Sequence, residues 1–391
     1  MWGFGRKVQH LPESTGQFLP GCMDVMLDYS PEGIFMRLYY PTSEDKNDPS
    51  NCSGWIPWMP TGNGYILGLA KVLFLFPFVI RFMQWWSAHD IPVIYGSKPK
   101  LDKKLKCIVL SHGLGAHRAL YSNVCCELAS RGYLVAALEH KGGSSCYTYY
   151  YKNKDDAENN IKAHVEYEQV QLGKNHFGQR KRQIGVRIKE CNKALDFLLN
   201  LNKGQVPHNV IDDVPTDRKI EFKLEDLVGK LDVDTLTMAG HSFGGATALL
   251  TLSQRPEFKQ GLLLDPWMYP IKDDNLPEKV QQPLVFINTQ TFHIVSNVQA
   301  MSKYLTNNDR TMYTILHTTH EHQGDTAMLF GSWMNWFMKK LDPLVALKIN
   351  NCLVLEFLDK YVGSPSDITD CREFLELEKP SYEVGLTKPW A

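Results

Sequence analysis

Residues 240–244 read Gly-His-Ser-Phe-Gly, and the serine at their centre raises a chemical question. A serine with glycine two residues away on each side is the pattern of a nucleophile elbow. A strand ends, the chain turns sharply, and a helix begins with the hydroxyl at the apex. The glycines have a steric reason, because a Cβ on either side of so tight a corner would collide with the neighbouring strand or helix. Serine attacks a carbonyl only when a base takes its proton, and the base needs an acid to orient it. In the fold that uses this elbow the chain order is serine, acid, histidine, each at the carboxyl end of a strand. Downstream of Ser242 the next apolar run, "GLLLD", ends at Asp265. The loop after the following run, "TQTFHIVS", contains no carboxylate, so elimination points to Asp265, with Asp273 and Asp274 in reserve. "HTTHEHQGD" then offers His317, His320 and His322 as the base, and spacing alone does not choose among them.

Acyl transfer also needs donors for the oxyanion. The backbone N–H of Phe243, directly after the serine, supplies one. The glycine-rich "SHGLGAHR" (111–118) supplies the other, with Leu114 as the best-placed donor. Clustered histidines can also hold a metal. Ligands at i and i+4 need a helix, however, the paired threonines oppose one, and no matching Asp/Glu/Cys set accompanies them. Neither metal nor other cofactor is expected.

The elements that must position these residues are legible from residue 106 onward. Apolar runs at 107–113, 133–140, 236–242, 261–266, 283–288 and 313–317 alternate with helical patterns at 116–131, 181–201, 243–254, 294–305, 325–341 and 343–361. Such alternation predicts an α/β fold, a mostly parallel sheet with helices on both faces, in one domain spanning residues 1–391. The first hundred residues do not alternate. Their most apolar stretch, 64–86, is interrupted by Pro77 and edged by Lys71 and Arg81, too broken to span a bilayer. It reads either as a buried core helix or as an apolar surface that rests on lipid. In the second reading Leu73, Phe74, Phe76 and Phe78 insert, and Trp85 and Trp86 sit at headgroup level.

Composition narrows the function class. Among 391 residues 43% are hydrophobic and 22% charged, the usage of a globular chain, and the net charge of −1 offers nucleic acid no basic stripe. The densest basic cluster, "GQRKRQ" (178–183), reads as the wet face of a helix. Nine scattered cysteines without a CxxC pair argue against a disulfide framework or a zinc site and for a reducing compartment. The start "MWGFGRKVQHLPES" lacks an apolar signal core and Trp2 excludes N-myristoylation. The expectation is a cytoplasmic protein peripherally associated with membrane, with secretion as the alternative.

"LSHGLGAHRALYS", "AALEHKGGSSCYTYY", "GHSFGGATALLTLS" and "LLLDPWMYP" together resemble the platelet-activating factor acetylhydrolases, the calcium-independent lipoprotein-associated and intracellular type II phospholipases A2. The resemblance implies the α/β-hydrolase fold, Ser242 as nucleophile, Asp265 as acid, and oxyanion donors at Leu114 and Phe243. The family's histidine is separated by four residues from a following aspartate, as His320 is from Asp325, which favours His320. It further implies serine-dependent, calcium-independent hydrolysis of short or oxidised sn-2 acyl esters of phospholipids, with a membrane or lipoprotein surface met through the region of 64–86 and no obligate protein partner. Another carboxylesterase or neutral lipase on the same fold, or a hydrolase-fold binding protein without activity, are the alternatives.

Overall fold

A computed structural model of the chain describes residues 9–86, 89–170, 175–306, 309–330 and 340–389. Ten strands among them form one sheet. In chain order these are β1 (Pro20–Met26), β2 (Phe35–Pro41), β3 (Ile94–Tyr95), β4 (Leu105–Ser111), β5 (Tyr133–Leu138), β6 (Leu231–His241), β7 (Gln260–Leu264), β8 (Leu284–Thr289), β9 (Arg310–Ile315) and β10 (Tyr382–Val384). Their spatial order is β10-β9-β8-β7-β6-β4-β5-β2-β1-β3. Every pairing from β5 through β4, β6, β7 and β8 to β9 is parallel, as six alternating apolar runs predict. The carboxyl ends of β6, β7 and β9 therefore open on the same edge of the sheet, where the expected serine, acid and base lie.

The strands are buried on both faces, and residue alternation assigns each side chain to one of two cores. In β4, Ile108 and Leu110 join the core under α3 (Ser122–Ser130) and α7 (Pro343–Val362). Cys107 and Val109 face the core under α4 (His176–Asn202) and α5 (Phe243–Leu252). α6 (Val295–Ser302) follows β8. All nine cysteines are free thiols.

Three features depart from expectation. The N-terminal region contributes β1 and β2, an antiparallel pair that docks antiparallel on β5 and widens the sheet. A search for apolar runs misses them because Asp24 and Arg37 sit opposite one another in the register and form a buried ion pair at 2.7 Å. The apolar stretch 64–86 is two helices, α1 (Asn63–Leu73) and α2 (Pro77–Trp86). Phe74 takes a left-handed conformation at φ 55°, which ends the first, and Pro77 opens the second, where its missing N–H costs no helical hydrogen bond. The basic cluster 178–183 is not uniformly wet: Arg180 and Gln183 are buried, while Arg182 is exposed. Among the described residues no helix is long and apolar enough to cross a membrane.

Candidate active site

β6 ends at His241, and α5 begins at Phe243. Between them Ser242 holds φ 56° and ψ −118°, a conformation that costs a non-glycine residue about 1–3 kcal/mol and survives only where the surroundings impose it. The surroundings are visible. Ser242 donates its N–H to the Leu264 carbonyl at 3.0 Å, and its own carbonyl accepts from Trp267 N–H at 2.9 Å, so the corner is stitched to the end of β7. A Cβ on Gly240 would stand 2.1 Å from the Gly244 oxygen, and one on Gly244 only 1.9 Å from the Ser111 oxygen. Both glycines are therefore required by contact.

Asp265 follows β7 directly, again at positive φ (46°), with 1% of its surface exposed. Its Oδ1 accepts from Thr289 N–H at 3.0 Å. Its Oδ2 accepts from Thr289 Oγ1 and faces His320 Nδ1 at 2.7 Å. Three donors thus hold a buried carboxylate in one orientation, which fixes the histidine tautomer that leaves Nε2 free to take a proton. His320 opens a short 3-10 turn after β9. Its ring is stacked on Phe292 with centroids 3.8 Å apart and lies 4.4 Å from the ring of His241, the residue before the serine. A quarter of the His320 side chain remains exposed, so the imidazole is braced on two sides and open on another.

The other candidates go elsewhere. His322 is buried and caps its own turn, with Nδ1 3.1 Å from Thr319 N and 2.9 Å from Thr319 Oγ1. His317 sits at φ 57° and donates its N–H to Gln290 Oε1 at 2.7 Å. Asp274 pairs with Lys181, and Asp273 is exposed. Potential ligand atoms of His241, Asp265 and His320 do lie within 4.8 Å of one another. The two Asp265 oxygens are engaged as above and His241 Nδ1 lies 2.7 Å from Tyr121 Oη, which leaves His241 Nε2, buried without a hydrogen-bond partner among the described residues, and His320 Nε2. Burial, and then the neighbouring His320, hold His241 well below the ordinary histidine range, so it stays neutral beside the expected base.

The loop after β4 lies against the elbow: a Cβ on Gly113 would be 3.4 Å from the Ser242 Cβ. Within it Gly113 donates to Tyr121 Oη at 3.0 Å, Gly115 to the Ser144 carbonyl at 2.8 Å, and Ala116 to the Gly113 carbonyl at 3.4 Å. The N–H groups of Leu114 and Phe243 have no such partner among the described residues. Two unspent donors beside one serine are what a developing oxyanion requires.

Residues 4–381 match the family described as platelet-activating factor acetylhydrolase, isoform II. The chain belongs to that family. It is 34% identical over 381 residues to the platelet-activating factor acetylhydrolase of Bos taurus, covering 96% of this chain and 82% of that one. It is 33% identical over 378 residues to the enzyme of that name from Gallus gallus, covering 93% and 86%. A putative phospholipase A2 of Schizosaccharomyces pombe is 23% identical, with 86% of each chain covered. Among solved structures a ferulic acid esterase from Streptomyces cinnamoneus superposes with a TM-score of 0.62 over 91% of this chain and 93% of that one, at 15% identity. That likeness, with the parallel sheet, shows the α/β-hydrolase fold.

In this member of the platelet-activating factor acetylhydrolase isoform II family, α1 buries Tyr65, Ile66, Leu69 and Ala70 against the body of the protein. Leu73, Phe74, Phe76 and Phe78 face outward, the three phenylalanines 69–82% exposed. The side chains of Trp85 and Trp86 lie outside the described residues. The helix pair touches the loop after β4 itself: Gly115, at φ 71°, leaves no room for a Cβ because Val72 Cγ1 would stand 2.6 Å away.

Sequence reasoning overlooked four supports of the site. Thr289 lies in the segment searched only for carboxylates, and Phe292 three residues on. Tyr121 sits in the "LSHGLGAHRALYS" block without a chemical signature of its own, and Trp58 carries no motif. The Asp325 carboxylate accepts from Trp58 Nε1 at 2.9 Å, Ser122 N–H at 2.8 Å and Asn123 N–H at 3.1 Å, tying the histidine loop to the start of α3. Burial pushes Asp325 up to about 7.

Proposed function

We propose that the protein hydrolyses short-chain or oxidised sn-2 acyl esters of phospholipids, platelet-activating factor among them, by a serine mechanism that needs no calcium. His320 takes the proton of Ser242, and the alkoxide attacks the ester carbonyl. Asp265 holds the imidazole and stabilises its charged form. The N–H groups of Leu114 and Phe243 receive the oxyanion. Collapse releases the lyso-lipid with a proton from His320. Water deprotonated by the same imidazole then opens the acyl-serine, releasing acetate or a longer acid. The observation that carries this reading is the 2.7 Å contact between His320 and the thrice-bonded Asp265, beside a strained serine with two unspent N–H donors. Backbone donors supply the charge stabilisation for which other phospholipases use a cation.

The exposed Phe74 and Phe76, in the corner between α1 and α2, and Phe78, at the start of α2, support a lipid-resting surface, since an apolar patch of this kind facing water is otherwise unfavourable. Phe76 and Phe78 stack on one another at 5.8 Å, and Val72 connects the pair to the oxyanion loop, so substrate lifted from an interface would meet the serine nearby.

The test is hydrolysis of phosphatidylcholines of graded sn-2 length in excess chelator. Rates that fall with chain length and ignore the chelator, and vanish in Ser242→Ala, are expected. Loss of activity on chelation, restored by calcium or zinc, would replace this mechanism with a metal-assisted one.

A further inference from the structure

Behind the oxyanion loop lies an arginine that the mechanism above does not use. Arg187, midway along α4, has no exposed surface. Burying an unpaired charge is costly, and a guanidinium does not readily shed its proton. Yet among the described residues no carboxylate forms an ion pair with Arg187. Its Nε donates to Ser144 Oγ at 2.8 Å, Nη1 to the His112 carbonyl, and Nη2 to the carbonyls of Gly113 at 3.2 Å and Ser144 at 3.4 Å. Burial brings its pKa down to about 9, which still leaves it charged at neutral pH.

The position explains the expense. The Gly113 carbonyl is the other end of the peptide unit whose N–H belongs to Leu114. The same guanidinium packs over the Phe243 ring, its Cζ 4.6 Å from the centroid. One side chain therefore grips the backbone of one expected donor and braces the residue that carries the other.

We propose that Arg187 is the positioning residue of the oxyanion hole, holding and polarising the Gly113–Leu114 peptide from behind while it steadies Phe243. This rests on the reading of Leu114 and Phe243 as oxyanion donors. A hydrogen bond to a peptide oxygen draws density from the N–H of the same unit and makes it a stronger donor. A fixed positive charge in a water-poor interior stabilises an oxyanion more than the neutral ester from which it forms. The Gly113 oxygen also lies 2.7 Å from His112 Nδ1, and burial, then Arg187 itself, keeps that histidine neutral. The charge at this peptide is thus Arg187's. A neutral donor could satisfy these carbonyls without the cost of burying a cation. Only the cation adds field at the hole.

The experiment uses the full chain with Arg187→Met and Arg187→Lys, each normalised to its active serines by fluorophosphonate titration. Turnover of a soluble ester is measured with binding of two inhibitors. One is a trifluoromethyl ketone, whose adduct carries the oxyanion; the other is a diether phospholipid, which has no carbonyl. Removing one oxyanion donor outright costs about 10²–10³ in kcat, so losing its support should cost Arg187→Met about 10- to 100-fold. KM should stay within about twofold, ketone binding should weaken by the same factor as kcat, and the ether should bind as before. Arg187→Lys, which keeps a cation, should recover part of the loss. If Arg187→Met does not fold, Arg187→Lys and Ser144→Ala, which removes only the Nε contact, must show the same split at smaller size. Folded variants with unchanged kcat, or equal weakening of ketone and ether, would overturn the proposal and leave Arg187 a packing residue. The two readings fail separately. An active Ser242→Ala sinks the serine mechanism, whereas a dead Ser242→Ala beside a fully active Arg187→Met sinks only the role of Arg187.

Discussion

Two serine–histidine–carboxylate lines run through this molecule, barely one strand apart. In the first, Ser242 lies at the elbow and His320 faces Asp265 at 2.7 Å. In the second, Ser111 Oγ is 2.7 Å from His140 Nε2, and His140 Nδ1 is 2.6 Å from Glu190 Oε2. By composition and bond length the second line is the more complete. Its surroundings differ in every respect that matters for chemistry. Ser111 closes a regular strand, paired with Gly240 in the ladder, and neither it nor His140 has exposed surface. Burial, then Arg187, push His140 well below the ordinary histidine range, so it is a poor proton acceptor. Burial also raises Glu190 to about 7, against the N–H of Lys141, which donates to it at 2.7 Å. The comparison shows what the proposed catalytic line has and the buried one lacks: access, a serine lifted out of the ladder and backbone donors left unspent. The buried line ties β4 to α4 through His140.

The largest expected difference between them is in turnover. Ser242→Ala and His320→Ala should each lower kcat by about 10⁴- to 10⁶-fold, as members of one unit do. Ser111→Ala should cost less than about tenfold in rate, and about 1–3 kcal/mol in stability for the histidine nitrogen it leaves unpaired. A Ser111→Ala enzyme as dead as Ser242→Ala, with its fold intact by circular dichroism, would erase the distinction. His317→Ala and His322→Ala belong with Ser111→Ala, and His322→Ala should lower the melting temperature through its lost cap.

A smaller effect sharpens what orients the open line. Thr289→Val removes a hydroxyl donor from the Asp265 carboxylate but keeps the backbone N–H. At about 1–3 kcal/mol for an unsatisfied buried acceptor, kcat should fall about 10- to 100-fold, and Thr289→Ser should restore it. Equal rates for the valine and serine variants would show that the backbone N–H suffices.

Access is tested at the exposed phenylalanines. Aspartate at Phe74, Phe76 or Phe78 should weaken liposome flotation and slow hydrolysis of vesicle-held substrate about tenfold per residue, given about 1.5–3 kcal/mol for a fully buried apolar side chain. Hydrolysis of p-nitrophenyl acetate and the melting temperature should hardly change. A parallel loss of stability and of both activities would return α1 and α2 to the status of core helices.

The smallest effect concerns the closed line alone. Glu190 is held above its ordinary value, so the native state keeps a proton that the unfolded chain releases. That contribution is full below about pH 4.5 and is lost as the pH rises through about 7. Glu190→Gln should therefore flatten the decline of stability across that window, read by thermal melts, while kcat at neutral pH changes little. An unaltered pH–stability curve would mean that the carboxylate is not the titrating group.

Local pattern carried much of this protein. The parallel half of the sheet follows from six apolar runs, because strands covered on both faces must be apolar throughout. The elbow follows from two glycines whose Cβ atoms would strike carbonyl oxygens. Serine, acid and histidine order narrowed the base to three residues, and the family resemblance, not spacing, singled out His320. The antiparallel edge was hidden because Asp24 and Arg37 neutralise each other across β1 and β2, a pairing visible only when the strands are side by side. Tertiary contact alone decided which histidine meets Asp265. It also decided that Thr289, Tyr121 and Phe292 brace the site, and that Arg187 stands behind Leu114. Ser111, His140 and Glu190 are a serine, a histidine and an acid just as Ser242, His320 and Asp265 are. One set lies sealed between sheet and helix and the other beside open surface, because water exclusion and backbone hydrogen bonding belong to the assembled layers and to no stretch of chain taken singly.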